Sequence, residues 1–589
     1  MRRLVTVLLA ACALLGLALV VLSFVPSGQL TSRLLGASGE ARAGANTQEL
    51  ATYLDVRLRL SAGLVFALVG GLVVVRSGFE ELIAAALSAP RIWPLRRTSL
   101  LLVGIPTLVA VVLRIPFLTQ PMRYDEALTF NEFASRPLYY GLSFYPDPNN
   151  HLLNTLLMHL AFLGLGNQPW VLRLPAFAAG VLLVPATFAL ARLLYGERAA
   201  VLAAVLVAVS SYLVEYSTNA RGYTLQSLCF VVLMGLAVWA VQNRSSSSLL
   251  AAAVVGALGA YAVPTMLYGV VIAAAWMLLA LRWPGLIGQE VSPSGAIHPR
   301  QLVASGLVLG LAAVLLYLPV LVVSGADKIV SNRFVVPLDQ TQLAPELLRS
   351  LARTWAFWNR DIPWPLAAVL VIGFGITVVT EVRFKRMPIG LLAPLVCLVL
   401  VVAQRVAPFE RVWLFLLPLY FTVAAAGLAR WAVVYLASDE ARWVNGHVVT
   451  VELESRLLAA AGLARLVDGR ILAAAFGLIL GFFTLTSGSI LASTETGAFP
   501  DAEAVTRTLA PRLAPDDAVV TQLPASLPEL QYYFPRYGLP TTVLVRPTEE
   551  GQNLWVIAAA GSPPTVIGFP TVVEVERFAD ATLYELKRT

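Results

Sequence analysis

The chain has 589 residues, 58% hydrophobic and only 13% charged, with a net charge of +7. Its mean hydropathy of +0.75 excludes an ordinary soluble globular protein, because sustained apolar runs of about 20 residues are what a helix needs to cross a bilayer. The positive charge does not imply a nucleic-acid partner: no basic run is interleaved with aromatics, and cytoplasmic loops of membrane proteins are enriched in Lys and Arg.

Arg2 and Arg3 precede an apolar run from Leu4 to Val25. Leu9-Ala10-Ala11-Cys12 resembles a lipoprotein cleavage box, but the run exceeds a signal h-region of about 7–15 residues and reads as a retained first span. Further runs lie at Leu60–Val75, Ser99–Leu118, Val171–Leu190, Ala199–Val214, Leu225–Val241 and Leu249–Ala262. The last six are Pro264–Leu281, Leu302–Val323, Trp364–Val379, Ile389–Ala403, Val412–Leu428 and Ile471–Leu491, with Pro264 dividing a stretch too long for one span. About thirteen transmembrane helices are predicted. Cys12, Cys229 and Cys397 all fall inside apolar runs, where free Cys behaves as a small hydrophobe.

With the N-terminus cytoplasmic, the inside connections contain Arg76, Arg91, Arg96, Arg97, Arg192, Arg198, Arg244, Arg282, Arg300, Arg383, Lys385, Arg386 and Arg430, as the positive-inside rule requires. The apolar run His151–Gly166 is short and carries two His. It reads as an interfacial helix, since counting it as a span would invert every later loop. Outer segments are then 26–58, 119–170 and 324–362, the last with Trp355 and Trp358 for a membrane interface. The tail 493–589 has the composition of a small extracytoplasmic α/β domain. Helices are predicted over Ala502–Leu513 and Pro528–Tyr537, and strands over Ala518–Thr521, Thr542–Val545, Leu554–Ala558, Val572–Val575 and Ala581–Leu586. The organisation is a two-span extension over 1–98, a polytopic α-helical membrane core over 99–492, and the tail.

Ionisable side chains at a membrane face are expensive and point to function. Arg123-Tyr124-Asp125-Glu126 places two adjacent acids just past the third span, where they can act as a base, hold a divalent cation, or simply open a solvated loop. Pro148-Asn149-Asn150-His151 follows in the same loop. Neutral His can donate, accept or ligate, while Asn at that point also suits a helix cap. Glu215-Tyr216-Ser217-Thr218-Asn219-Ala220-Arg221-Gly222-Tyr223 forms the next outer turn. There Arg221 has either Glu215 or a phosphate as its partner. Gln404-Arg405 to Glu410-Arg411 gives two more outer cations, and Lys328 and Arg333 add weaker phosphate candidates. Acids and a His in one outer loop, with Arg at several others, suit transfer from a lipid-linked phosphate.

The arrangement resembles the C-type (GT-C) superfamily of glycosyltransferases, nearest to bacterial family 39 protein mannosyltransferases and the aminoarabinose transferases of lipid A. The matching residues are Leu113-Arg114-Ile115, Tyr124-Asp125-Glu126-Ala127, Asn150-His151-Leu152-Leu153, Trp170-Val171-Leu172-Arg173-Leu174-Pro175 and Asn219-Ala220-Arg221-Gly222-Tyr223-Thr224-Leu225, with Arg411 to Pro418 more loosely. The resemblance spans roughly 99–440 and leaves the first two spans unexplained. It implies a polyprenyl-phosphate monosaccharide donor and a protein, lipid or polysaccharide acceptor at the outer face of a plasma or inner membrane. It further implies Asp125 as the member of the acid pair that deprotonates or orients the acceptor for an inverting transfer, Glu126 assisting it or holding a metal, and Arg221 contacting the donor phosphate or ordering the acid loop, with Tyr223 beside it. Leu152-Leu153 replace the two prolines that follow this His in relatives, and Asn219 stands where some carry Glu. The alternative is a multi-span transporter or lipid flippase, or an inert structural subunit. Transporters, however, place ionisable groups near the bilayer midplane, whereas here they gather at one face.

Overall fold

Every stretch expected to span is helical. In the computed structural model, which describes residues 1–36, 44–88, 97–287, 297–330, 336–434, 442–444, 447–449, 469–523, 525–544, 553–564, 569 and 571–587, seven helices are long and apolar enough to cross a membrane. A bent pair makes an eighth, and the remaining apolar helices are shorter. Arg91, Arg96 and the phosphate candidate Arg333 lie outside the described residues.

Four departures from expectation matter for the site. The described residues of 26–58 are helical rather than loop, in Ser27–Gly36 and the start of the 31-residue helix Gly44–Val74. The segment 324–362 contains the amphipathic helix Gln340–Trp358. The stretch expected as one span at Ala199–Val214 breaks at Ser210 into Glu197–Val209 and Ser211–Ser217, bent by 60°. Ser210 is extended (φ −64°, ψ 119°), and the seven residues after it are all buried. Irregular backbone at membrane depth is tolerated where protein or a cavity surrounds it. Fourth, the span expected from Val412 begins as a 3₁₀ turn, Glu410–Leu416, before the helix Leu417–Val434.

Helices Trp364–Arg383 and Leu417–Val434 meet backbone to backbone: a Cβ on Gly427 would lie 1.8 Å from the Gly373 carbonyl oxygen. Small residues at such crossings are how membrane helices approach closely. Gly427→Ala is expected to lower stability by about 1–3 kcal/mol through overpacking, read as a fall in melting temperature of the detergent-purified chain; an unchanged melting temperature contradicts this packing.

The tail is a four-stranded mixed sheet in the order Ala518–Thr521, Leu554–Ala559, Ala581–Lys587, Thr571–Arg577. The first pair is parallel (Ala518 opposite Leu554) and the others antiparallel (Val556 opposite Tyr584, Val572 opposite Leu586). The helix predicted to Leu513 stops at Leu509, two residues before Pro511, because Pro disfavours helix in the residue before it. The stretch from Thr542 is not a strand: Thr541–Leu544 is a 3₁₀ turn after Pro540, and Val545 is outside the described residues.

The tail's apolar core is not closed on itself. Val505, Leu530, Trp555 and Leu583 share one buried cluster with Met122, Ala127, Phe130 and Leu172 of the core. The tail helix Leu527–Tyr533 packs against the acid-pair helix Tyr124–Thr129. Asn131 Nδ2 donates to the Pro528 carbonyl (2.8 Å), and the Met122 N–H donates to Tyr533 Oη (3.1 Å). The loop holding the acids is therefore sandwiched between the bundle and the tail.

Candidate active site

Two adjacent acids take opposite roles. Glu126 is fully buried with Arg173. Its Oε1 accepts from the Arg123 N–H (2.9 Å) and from Arg173 Nη2, and its Oε2 from Arg173 Nε (3.1 Å) and the Ala220 N–H (2.8 Å). Arg173 in turn donates to the carbonyls of Leu118 (2.8 Å), Gln120 (2.7 Å) and Pro121 (2.9 Å). A guanidinium has five N–H donors and a carboxylate about four acceptor sites, so both groups are saturated. Together they pin the end of one helix, the start of the acid loop and the Ala220 turn.

Asp125 is oriented differently. Its N–H donates to the Thr496 carbonyl (3.1 Å), and its side chain points to two cations: Oδ2 lies 3.7 Å from Arg221 Nη2 and 3.6 Å from Arg411 Nη1. That oxygen makes no hydrogen bond. Arg221 is held in place by Thr129 Oγ1 (3.0 Å), the Asn149 carbonyl (2.8 Å) and Asn149 Oδ1, leaving its Nε without a partner. Arg411 donates to the Glu495 carbonyl (3.1 Å).

His151 is buried, and its Nδ1 accepts from the Gly222 N–H (2.9 Å). Burial, followed by the nearby Arg221 and Arg411 charges, holds its pKa well below the ordinary imidazole value; the ring is neutral, with its proton on Nε2. Tyr223 packs edge-on against it at 4.8 Å, with Arg221 over the Tyr223 ring at 5.8 Å. A Cβ on Gly222 would lie 2.9 Å from the His151 Cβ, so this contact requires glycine.

The structure thus brings together Asp125, Glu126, His151, Arg221, Tyr223 and Arg411. Glu215 is not the partner of Arg221: it is fully buried between Arg123 (3.1 Å) and Arg360. Arg405 caps the helix Ile389–Gln404 in a left-handed conformation with its side chain exposed, and no ion pair joins it to the cluster among the described residues. Lys328 pairs with its neighbour Asp327 at 3.8 Å.

Three contributors were not legible in the sequence. Glu495 follows the last span; its Oε1 accepts from Tyr212 Oη (2.9 Å), and its Oε2 is buried without a partner. Burial, with Glu215 nearby, pushes its pKa up to about 7. Glu529 of the tail helix is completely buried with neither oxygen bonded, and burial together with Glu126 and Asp125 pushes it up to about 8. Arg360 donates to Glu215 and lies 5.7 Å over the Tyr212 ring.

Buried polar atoms normally find partners. Here Asp125 Oδ2, Tyr145 Oη, Tyr216 Oη, Asn219 Oδ1, Arg221 Nε and Glu495 Oε2 do not, and they surround one site. A divalent cation on Asp125, Glu126 and His151 does not fit this donor set, because Glu126 is saturated by Arg173 and His151 Nδ1 is committed to Gly222. Among the described residues no group of three such side chains could hold a metal. An apolar cavity of about 540 Å³ opens between the N-terminal helices, the loop helix Leu138–Ser143 and Pro299–Val323; Leu19, Leu54, Leu58, Tyr140, Leu318 and Val322 line it.

The dolichyl-phosphate-mannose-protein mannosyltransferase family matches residues 151–291. ArnT from Cupriavidus metallidurans bound to undecaprenyl phosphate is similar over 82% of this chain and 97% of its own, at 15% identity and a TM-score of 0.50. The Archaeoglobus fulgidus oligosaccharyltransferase tethered to an acceptor peptide covers 79% of this chain and 70% of its own, at 13% identity and TM-score 0.42. The arabinosyltransferase EmbB from Mycobacterium smegmatis covers 75% and 45%, at 14% identity and TM-score 0.40. A search of curated proteins found no match.

Proposed function

We propose that this chain, a glycosyltransferase of the C-type fold, transfers a monosaccharide from a polyprenyl-phosphate donor to an acceptor hydroxyl at the outer face of the membrane. The observation that carries this reading is Asp125 Oδ2, a buried, unbonded carboxylate oxygen facing two arginines at 3.6 and 3.7 Å. A base and a pair of cations within one small space are what displacement of a phosphate by an alcohol requires. The ArnT structure supports a lipid phosphate as the group bound, since that protein shares the fold and holds undecaprenyl phosphate.

In this mechanism the acceptor proton passes to Asp125 Oδ2. The acceptor oxygen bonds to the anomeric carbon from the side opposite the phosphate, inverting that centre. The bond from carbon to phosphate oxygen breaks, and its electron pair leaves with the phosphate. Arg221 and Arg411 stabilise the charge that develops there, as preorganised cations do. Glu126 acts through Arg173 and Ala220, fixing the loop that carries Asp125 and the turn that carries Arg221. His151, neutral, supports that turn through Gly222. The apolar cavity beside the loop falls within the ~300–1,000 Å³ of ligand pockets and suits part of an isoprenoid chain. With the N-terminus cytoplasmic, the tail and the 119–170 loop are on the outer side, where the tail covers the acid loop from the acceptor's direction.

Purified protein, radiolabelled polyprenyl-phosphate sugars and native membranes as the acceptor source test this directly. Label is expected to move into protein, glycolipid or polymer. Donor crossing sealed vesicles without any transfer rejects the enzyme reading.

A further inference from the structure

Glu495 has no counterpart in the sequence pattern that marks the acid loop, yet it stands inside the site. The segment after the last span is woven into the acid loop at several points. Arg123 donates to the carbonyls of Ser493 (2.8 Å) and Ile490. Thr496 accepts from the Asp125 N–H through its carbonyl (3.1 Å) and from Asn219 Nδ2 through its hydroxyl (3.1 Å). Glu495 is thereby fixed beside Arg411: one nitrogen of that guanidinium lies 3.6 Å from Asp125 Oδ2 and 3.1 Å from the Glu495 carbonyl. Its carboxyl reaches on to Tyr212 (2.9 Å) and keeps a buried, unbonded oxygen, with the equally unbonded Tyr216 hydroxyl close by.

We propose that Glu495 is the acid of this site, donating its proton to the phosphate oxygen that departs from the sugar while Asp125 takes the proton of the acceptor. The assignment rests on the glycosyltransferase reading above. The step balances: Asp125 gains one proton, Glu495 gives one up, and the electron pair of the broken carbon–oxygen bond stays on the phosphate that Glu495 protonates. Solvent then removes the proton from Asp125 and restores the one on Glu495. A carboxylate beside a departing phosphate would repel it; a neutral carboxylic acid instead supplies a hydrogen bond that strengthens as charge develops.

Among the titratable groups around Glu495, Glu215 adds to burial in favouring the neutral form, while the Tyr212 and Tyr216 hydroxyls and Arg411 favour the charged one. Glu215, Tyr212 and Tyr216 of the buried Ser211–Ser217 helix face it from one side. Arg360 faces it from the turn after Gln340–Trp358, and Arg411 from the 3₁₀ turn, with Asp125 beyond. Burial, with Glu215, outweighs the two tyrosine hydroxyls and Arg411 and places its pKa at about 7. The working form is the protonated one, so its contribution is present below that pH and is lost as pH rises through about 7.

The test uses the full-length chain in detergent or nanodiscs, with whichever polyprenyl-phosphate monosaccharide the wild type turns over. kcat and KM for Glu495→Gln and Glu495→Ala are measured between pH 5.5 and 9, a window of about 1.5 to 2 units on either side of neutrality chosen to bracket a group that titrates there. Wild-type kcat should fall on the alkaline side. Glu495→Gln keeps the Tyr212 hydrogen bond but cannot titrate, so it should turn over more slowly with that alkaline limb abolished. Glu495→Ala should lose about 10²-fold or more in kcat with little change in donor KM. A purely structural role would lower activity without moving the limb. An alkaline limb in Glu495→Gln that matches wild type, or wild-type kcat in Glu495→Ala, overturns the assignment and leaves the function standing. Absence of transfer by the wild type from every donor overturns the function itself and this assignment with it.

Discussion

Asp125→Asn is expected to abolish transfer, lowering kcat by about 10²- to 10⁴-fold, the usual worth of a positioned general base. The fold should be untouched. Asn is nearly isosteric, Oδ2 makes no hydrogen bond to lose, and the two arginines lie at 3.6 and 3.7 Å, beyond hydrogen-bond length. What anchors Asp125 is its backbone: the N–H to Thr496 (3.1 Å), and the carbonyl accepting from Thr129 (2.8 Å) and Asn149 (3.3 Å). All three bonds survive the substitution. Donor binding should survive as well, because Arg221 keeps its contacts to Thr129 and Asn149. Initial rates of label transfer, donor binding and thermal unfolding of the same preparation separate these effects. Turnover close to wild type in a folded Asp125→Asn protein removes Asp125 from the base's role.

The bundle was legible because hydrocarbon thickness imposes a length on every apolar run; each stretch expected to span is helical over most of its length. What the runs did not reveal is where a helix breaks. Ala199–Val214 reads as one apolar segment, yet the bend at Ser210 carries Tyr212, Glu215 and Tyr216 into the site. That bend also explains why Glu215 pairs with Arg123 and Arg360 and leaves Arg221 for Asp125. Asp125, Arg221 and His151 were legible because charge at a membrane face is conspicuous. Glu495 and Glu529 were not: each is a lone acid in a polar tail, and only the folding back of that tail onto Tyr124–Thr129 places them near the acid loop. Arg405 and Lys328 instead sit apart from this cluster: Arg405 caps the helix Ile389–Gln404 with its side chain exposed, and Lys328 pairs with Asp327. The tail strands at Ala518, Leu554 and Ala581 were legible as short extended runs set off by Pro and Gly, whereas the similar run at Thr542–Val545 misled because Pro540 initiates a 3₁₀ turn.

The largest loss of stability is expected at Arg173. Removing one partner of a buried, fully bonded ion pair leaves an uncompensated charge, which typically costs about 3–5 kcal/mol, a large share of the ~5–15 kcal/mol that holds a typical domain folded. In Arg173→Leu the Glu126 carboxylate would remain at 0% exposure with only the Arg123 and Ala220 N–H groups as donors, and the carbonyls of Leu118, Gln120 and Pro121 would lose their donor. Arg173→Leu with Glu126→Leu removes both charges and should recover part of that loss, but not all, because those three carbonyls and two N–H groups stay unpaired. Arg76, paired with Glu80 at 2.8 Å but 41% exposed, supplies the contrast: Arg76→Leu should change stability by no more than about 1 kcal/mol. Melting temperatures of the detergent-purified variants decide the matter. If Arg173→Leu melts no lower than Arg76→Leu, the pair is not the clamp that its bonding pattern describes. If it melts far lower and the double variant partly recovers, the loop bearing Asp125 and the turn bearing Arg221 are held in register by one saturated ion pair beneath them.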